Sequence, residues 1–310
     1  MRLSTSLVDA KTEHVAECPD LGPECALPVA PVPFNHHIEQ TMAEVALDAS
    51  YGVLPWLAAE VRLPLRIVDV RPTYSELDGA PKLLPDDIHH HDETLVGPGD
   101  PWLVGRVAST FGALVAGARF GVTLPIGRTE PDPYELGRRG ETHEHLQFGT
   151  GTVVPIVGGG LSYTIDTVAP VSLGLGALGL FSLYENEEGY RAPSRTFLSS
   201  SVAVDLLGGK VRPSLSLDWS RESEELWHGG MGDEGPTARS ELIAGARVAW
   251  RFYAPWTVEA GVRRRVARFT DAASFDYPAL FQLSVATHFD VGPAVSSEAP
   301  GAAHHARASW

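Results

Sequence analysis

The chain has little of what a soluble enzyme or a helical membrane protein would need. Its 310 residues include two cysteines, Cys18 and Cys25, both in one proline-rich stretch. No window approaches the twenty or so consecutive apolar residues of a spanning helix, and 24 Pro with 31 Gly argue against long helices. Positive charge is scarce: 24 Lys and Arg against 39 Asp and Glu leave a formal charge of −15. With no basic stripe to offset it, that balance excludes generic nucleic-acid affinity. There is no G-x-S-x-G elbow and no Walker loop, and Gly158-Gly159-Gly160 falls mid-segment, where glycine marks a bend or bulge. Ser199, Ser200 and Ser201 have no histidine at a matching depth, so neither an enzyme nor a required cofactor is expected. Residues 1–30 also lack a basic segment followed by an apolar core. An exported chain with this start is expected to be a trimmed mature form or to begin elsewhere.

What the chain does have is alternation. In 57–67, Ala59, Val61, Leu63, Leu65 and Ile67 share one face and Glu60, Arg62 and Arg66 the other. In 211–220, Val211, Pro213, Leu215, Leu217 and Trp219 oppose Arg212, Ser214, Ser216, Asp218 and Ser220. Stretches 42–51 and 241–252 behave alike. The period of two marks strands, and a barrel that hides apolar residues at every second position accounts for a mean hydropathy of −0.04. About twelve strands are expected, at 2–10, 41–53, 57–74, 103–111, 115–128, 146–165, 171–185, 196–206, 210–221, 239–252, 256–269 and 278–291.

The joints between them switch between short and long. Short ones are Leu54-Pro55-Trp56, Gly112-Ala113-Leu114, 166–170, 207–210 and Tyr253-Ala254-Pro255; long ones are 11–40, 75–102, 129–145, 186–195, 222–238 and 270–277. Tight periplasmic turns and larger outer loops are the rhythm of an up-and-down transmembrane β-barrel. A soluble β-sandwich also alternates, but here the apolar face runs through nearly every strand. Aromatics gather at strand ends as two belts: Tyr51, Trp56, Phe111, Tyr253 and Trp256 at short turns, and Tyr74, Trp102, Phe148, Tyr184, Trp219 and Phe269 at long loops. The expectation is an all-β barrel over 1–291 in a bacterial outer membrane, its partners the lipid bilayer and a small-molecule solute. A disordered tail is expected at 292–310.

On this map nine of the 12 histidines fall on the outer side, among them His36 and His37, His89, His90 and His91, and His143 and His145. Imidazole ligates Zn, Cu and Ni, and residues two apart in an extended segment point the same way. If Leu146 and Phe148 face lipid, then His143, His145 and Gln147 face the lumen mouth. The functional expectation is an outer vestibule that captures a divalent metal; the alternative is hydrated acidic loops without a defined site. Cys18 and Cys25, with six residues between them, fit a local disulfide or two separate thiols.

The lumen face carries Arg62, Arg66, Arg119, Arg212, Arg247, Arg251, Arg263 and Arg265 against Glu44, Asp48, Glu60, Asp205, Asp218, Glu241 and Glu259. A water-filled pore would use these charges to select solutes; a closed barrel would pair them all. Since the lumen is at least as basic as acidic, a small anion is as plausible a permeant as a cation. Arg264 breaks the alternation, falling on the lipid face near the outer rim, where it snorkels or meets anionic headgroups, unless the register is off by one.

Three segments carry a family resemblance: 99–106 (Gly99-Asp100-Pro101-Trp102-Leu103-Val104-Gly105-Arg106), 120–127 (Phe120 to Gly127) and 146–155 (Leu146 to Pro155). They resemble outer-membrane barrels grouped as transporter-like proteins of the MetA-pathway of phenol degradation, over about residues 40–290. The resemblance implies a barrel and transport of small molecules, and brings no catalytic residues. A channel or transporter is therefore the leading expectation, and a closed barrel binding a partner protein through its His-rich loops is the alternative.

Overall fold

A computed structural model describes residues 1–16, 34–82, 92–139, 141, 143, 145–230, 238–269 and 279–287. Its strands are β1 (Arg2–Ala16), β2 (Phe34–Leu54), β3 (Leu57–Glu76), β4 (Pro81–Lys82), β5 (Glu93–Pro98), β6 (Trp102–Phe111) and β7 (Leu114–Thr123). One helix, α1 (Pro133–Arg139), precedes β8 (Val154–Ile165), β9 (Val171–Leu180), β10 (Tyr190–Arg191) and β11 (Arg195–Val204). The chain continues through β12 (Val211–Glu222), β13 (Leu226–Trp227), β14 (Arg239–Tyr253), β15 (Trp256–Arg268) and β16 (Leu280–Thr287).

Twelve of these strands, all antiparallel, close into one ring: β1-β2-β3-β6-β7-β8-β9-β11-β12-β14-β15-β16 and back to β1. Closure removes the open edge that lipid could not satisfy. The ring is sealed where Arg2 pairs with Ala286, and the N-terminal ammonium donates to the Thr287 carbonyl at 2.8 Å. The even strand number brings both ends of the ring to the short-turn side.

Register explains which residues meet lipid. Leu47 pairs with Leu3 and Leu63, and Trp250 with Val211 and Val258, so apolar residues run round the outside in rows. Tyr51, Trp56, Phe111, Tyr253 and Trp256 stand exposed at the short turns, forming the inner aromatic belt. The belt expected at the long loops is thinner. Trp219 lies on the outer face, but Tyr74 stacks on His36, Trp102 packs on an inner apolar cluster, and Phe148 is buried.

Strand ends depart from the sequence expectation in three places. β1 and β2 run on through much of the expected 11–40 loop, pairing as far as Ala16 with Phe34. β5 occupies part of the expected 75–102 loop, pairing Leu65 to Val70 of β3, while β6 pairs Leu57 to Arg62. The two are one strand interrupted at Gly99-Asp100-Pro101. Conversely, residues 146–153 form no strand, and β7 and β9 stop at Thr123 and Leu180.

The long strands carry a reversal of polarity. Up to Ile67 the odd residues of β3 are apolar and outward; beyond it they are Asp69, Arg71 and Thr73, while the even residues become Val68, Val70 and Tyr74. β2 reverses at the matching level: Ala43, Val45 and Leu47 are outward below, Thr41, Glu39 and His37 above. The β2–β3 register is continuous across this point, from Gly52↔Ala58 to Phe34↔Glu76, so no bulge causes it. Above the membrane the outside meets water and the inside becomes an apolar core.

Candidate functional site

The inner wall in the membrane region is built from ion pairs. Glu60 is shared by Arg106 (2.7 Å) and Arg119 (3.5 Å), Glu259 by Arg2 (2.7 Å) and Arg247 (3.1 Å). At the outer end Glu222 is shared by Arg195 (2.6 Å) and Arg239 (2.5 Å). In the Glu60 and Glu222 groups two guanidiniums share one carboxylate. A fourth is balanced: Arg62 binds Glu44 at 2.7 Å and Asp48 at 3.0 Å, and Arg66 binds Glu44 at 3.2 Å. Further pairs are Arg212–Asp205, Arg263–Asp218 and Arg265–Glu241. Arg251, on the same face of β14 as Arg247, stands near the short-turn end. The chain is acidic as a whole, yet its inner wall is basic. Such pairs are favourable in this setting because one side of the lumen keeps them near water.

The charges occupy only part of the ring. On β8, β9 and β11 the inward residues of the membrane region are Gly158, Gly160, Ser162 and Thr164, then Ser172, Gly174 and Gly176, then Ser199, Ser201 and Ala203. These small side chains leave space beside them, and a Cβ on Gly174 would lie 2.6 Å from the Ser201 hydroxyl. A hydroxyl-lined wall therefore stands beside guanidinium-rich ones.

Toward the outer side the inner faces turn apolar and are covered by the stretches 124–132 and 145–153. Phe148, 2% exposed, packs with Ile38, Val68, Val70 and Leu95, flanked by Met42 and Leu146. Gly97 makes this possible, since a Cβ there would sit 2.9 Å from the Phe148 ring. A second cluster joins Val104, Val154, Ile156 and Leu180. Asp100, buried at the break between β5 and β6, ties the segment down: it accepts from Gly127 N (2.9 Å), Thr150 N (2.7 Å) and Thr150 Oγ1 (2.8 Å). Arg66 reaches up from the charged wall and donates to the Phe148 carbonyl at 2.9 Å.

A third apolar cluster caps the outer side. β10 and β13 pair there, and Tyr190, Ala192 and Trp227 pack with Tyr134 of α1. Asp132 caps α1 by accepting from the Tyr134 and Glu135 amides, and its other oxygen lies 3.3 Å from His228 Nε2. Burial pushes the Glu225 carboxyl up to about 7, offset in part by the Trp227 indole donating to it and reinforced by Glu222. Burial likewise raises the Tyr190 phenol, with Glu225 beside it.

The histidines fall in different places. His143 and His145 approach each other, ring centroids 5.2 Å apart, with His145 edge-on to Tyr134 and His143 Nδ1 2.9 Å from the Glu141 carbonyl. They do so in a coiled segment, because Phe148 faces the inner core rather than lipid, and Gln147 bonds Glu130 instead of facing a mouth. His36 and His37 do not converge: as strand neighbours they take opposite faces. His36 is buried between Phe34 and Tyr74, and His37 lies 3.1 Å from Ser75 Oγ. Among the described residues no group of three or more His, Cys, Asp or Glu is placed to hold a metal. His89, His90 and His91, Cys18 and Cys25, the 270–277 loop and the 292–310 tail lie outside the described residues. Of the expected wall residues, Arg62, Arg66, Arg119, Arg212, Arg247, Arg251, Arg263, Glu60, Glu241 and Glu259 all stand on the inner face of their strands. Sequence reasoning missed Arg2, Arg106, Arg195, Glu222, Arg239 and Asp100, although Arg106 alternates in phase with Trp102 and Val104.

At the level of sequence, no family model and no curated protein matches the chain. Solved structures match it in shape. An outer membrane channel from Pseudomonas putida F1 is similar over 91% of this chain and 94% of that one, at 12% identity and a TM-score of 0.53. The transport unit of the autotransporter AIDA-I from Escherichia coli aligns over 93% and 90%, at 9% identity and a TM-score of 0.46. The toluene transporter TodX from Pseudomonas putida aligns over 93% and 89%, at 8% and 0.43. At such identities the first likeness is one of fold, and the resemblance carried by 99–106, 120–127 and 146–155 holds at that level. The chain has the fold of an outer-membrane β-barrel.

Proposed function

We propose that this barrel is an outer-membrane channel for small solutes and that its wall favours anions. One observation carries the anion preference: Glu60 and Glu222 are each shared by two arginines, so guanidinium outnumbers carboxylate in each group. Arg251 adds another. Rings of fixed charge select permeant ions by sign, and guanidinium keeps its charge at any working pH. The hydroxyl-lined arc on β8, β9 and β11 gives a solute room to pass those charges. In planar bilayers under a KCl gradient, the reversal potential is expected to take the sign set by chloride. A potassium-selective sign would overturn the anion preference, and a barrel that conducts nothing would overturn the channel itself.

A second proposal, capture of a divalent metal such as Zn, Cu or Ni, is favoured by the approach of His143 and His145 in the cap. Calorimetric titration of Zn into wild type and a His143→Ala, His145→Ala double variant is expected to show weaker binding in the variant. Undiminished binding would remove these residues from the site.

A further inference from the structure

Arg264 is the one charge, among the described residues, at an outward position in the apolar band. It pairs with Ala244, whose neighbours Leu242 and Ala246 share the lipid face, and it is exposed. Eight residues above Trp256, it stands about 20 Å up a strand tilted at about 40°. The apolar band of such barrels is about 25 Å tall, so Arg264 lies in its outer part, where a charge facing lipid is less costly than at the midplane but still unfavourable without a partner. Among the described residues no carboxylate or carbonyl bonds Arg264, while the neighbouring Arg263 and Arg265, facing inward, bind Asp218 and Glu241.

Directly below it the outer surface is concave. A groove of about 550 Å³ runs over β11, β12, β14 and β15, lined by Val202, Val204, Leu215, Val248, Ala260 and Val262. Ala246 and Ala260 supply the hollow, being small where the adjoining positions are Val and Leu. Val262 is both a wall of the groove and the residue two before Arg264 on the same face, about 6.6 Å along the strand.

We propose that this groove and Arg264 together bind one anionic membrane lipid, with an acyl chain in the groove and the headgroup phosphate on the guanidinium. The charge and the hollow point to the same ligand. A phosphate supplies the missing counter-charge, and its paired oxygens suit the guanidinium fork. A chain lying between Val262 and Val204 fills a depression that bulk lipid packs poorly. The site rests on the barrel spanning a membrane and is independent of whether its lumen conducts.

The test uses the whole protein in phosphatidylcholine vesicles carrying spin-labelled phosphatidylglycerol or spin-labelled phosphatidylcholine. The wild type is expected to immobilise the anionic label several-fold more than the neutral one. Arg264→Gln should abolish that preference. Ala260→Leu, which fills the groove but keeps the charge, should reduce it as well. Heat-modifiable gel mobility checks that both variants remain folded. Added inorganic phosphate should leave the preference intact, because it has no chain to place. Equal immobilisation of both labels by the wild type, or a preference surviving both substitutions, would overturn the site. So would competition by inorganic phosphate, or an Arg264→Cys variant forming a disulfide-linked dimer across this face.

Discussion

Replacing Asp100 by alanine is expected to make segment 124–153 susceptible to trypsin about a hundredfold faster than in the wild type, with the barrel itself left intact. Asp100 is buried and receives three hydrogen bonds, two from backbone amides at Gly127 and Thr150. Alanine leaves both half-buried amides without their acceptor. Each orphaned buried donor costs about 1–3 kcal/mol, so about 3 kcal/mol of local stability is lost, and each 1.4 kcal/mol is a factor of ten in the open population. Cleavage of a transiently opened segment follows that population when closing is fast. The first cut is expected after Arg128, which bonds the Pro98 carbonyl and lies over the Phe148 ring in the closed form. Asp100→Asn keeps one acceptor oxygen and should fall between the two. An unchanged digestion rate in Asp100→Ala would mean that the apolar contacts of Phe148 hold the segment alone.

Changing Arg106 and Arg119 together to glutamine is expected to turn an anion-preferring conductance into a cation-preferring one. In the wild type these two guanidiniums outnumber Glu60; in the double variant Glu60 stands alone and the local charge moves from plus one to minus one. A unit charge about 6 Å from a passing ion, at an effective dielectric of about 40, contributes roughly 1.4 kcal/mol. That term has opposite sign for chloride and potassium, so each lost guanidinium shifts their permeability ratio by up to about a hundredfold at low salt, and less as salt approaches molar and the Debye length falls to about 3 Å. The measurement is the reversal potential under a KCl gradient. The control is Arg71→Gln, since Arg71 lies on the outer face above the membrane, bonded to Asp69. A double variant with wild-type selectivity would mean that ions pass beside another wall.

How much of this was legible beforehand depended on which solvent each residue meets. In 57–67 the alternation is between Leu or Val and Glu or Arg, because one face meets lipid and the other water, and strand and face could be read directly. Beyond Ile67 both solvents change, and the same strand then reads Asp69-Val70-Arg71-Pro72-Thr73-Tyr74. Taken alone, stretches of this kind, such as Asn35-His36-His37-Ile38-Glu39, read as polar loop, which places the ends of β1 and β2 near the membrane. A period of two through 146–153 puts Phe148 on the lipid face, but there the chain has left the sheet. The approach of His143 to His145 comes from the folding of a coiled segment, which no periodicity encodes. Arg106 could have been found, since its parity matches the inner face of β6. The sharing of Glu60 between β3, β6 and β7 could not, because it depends on how three strands are registered across the ring.

The reversal of polarity along β2 and β3 makes these strands a ruler. Their hydrogen-bond ladder runs on unbroken, so the backbone does not mark where the bilayer ends; the exchange of odd for even does. The mark lies at Thr41 on one strand and Ile67 on its neighbour, giving β3 eleven residues from Leu57 to the boundary, the span a tilted strand needs to cross a hydrocarbon core. A detergent collar or a bilayer of matching thickness should come to rest at that line. The vertical position of the whole barrel is thus marked on its outer side by a change of parity in two adjacent strands, as the aromatic belt marks it at the short turns.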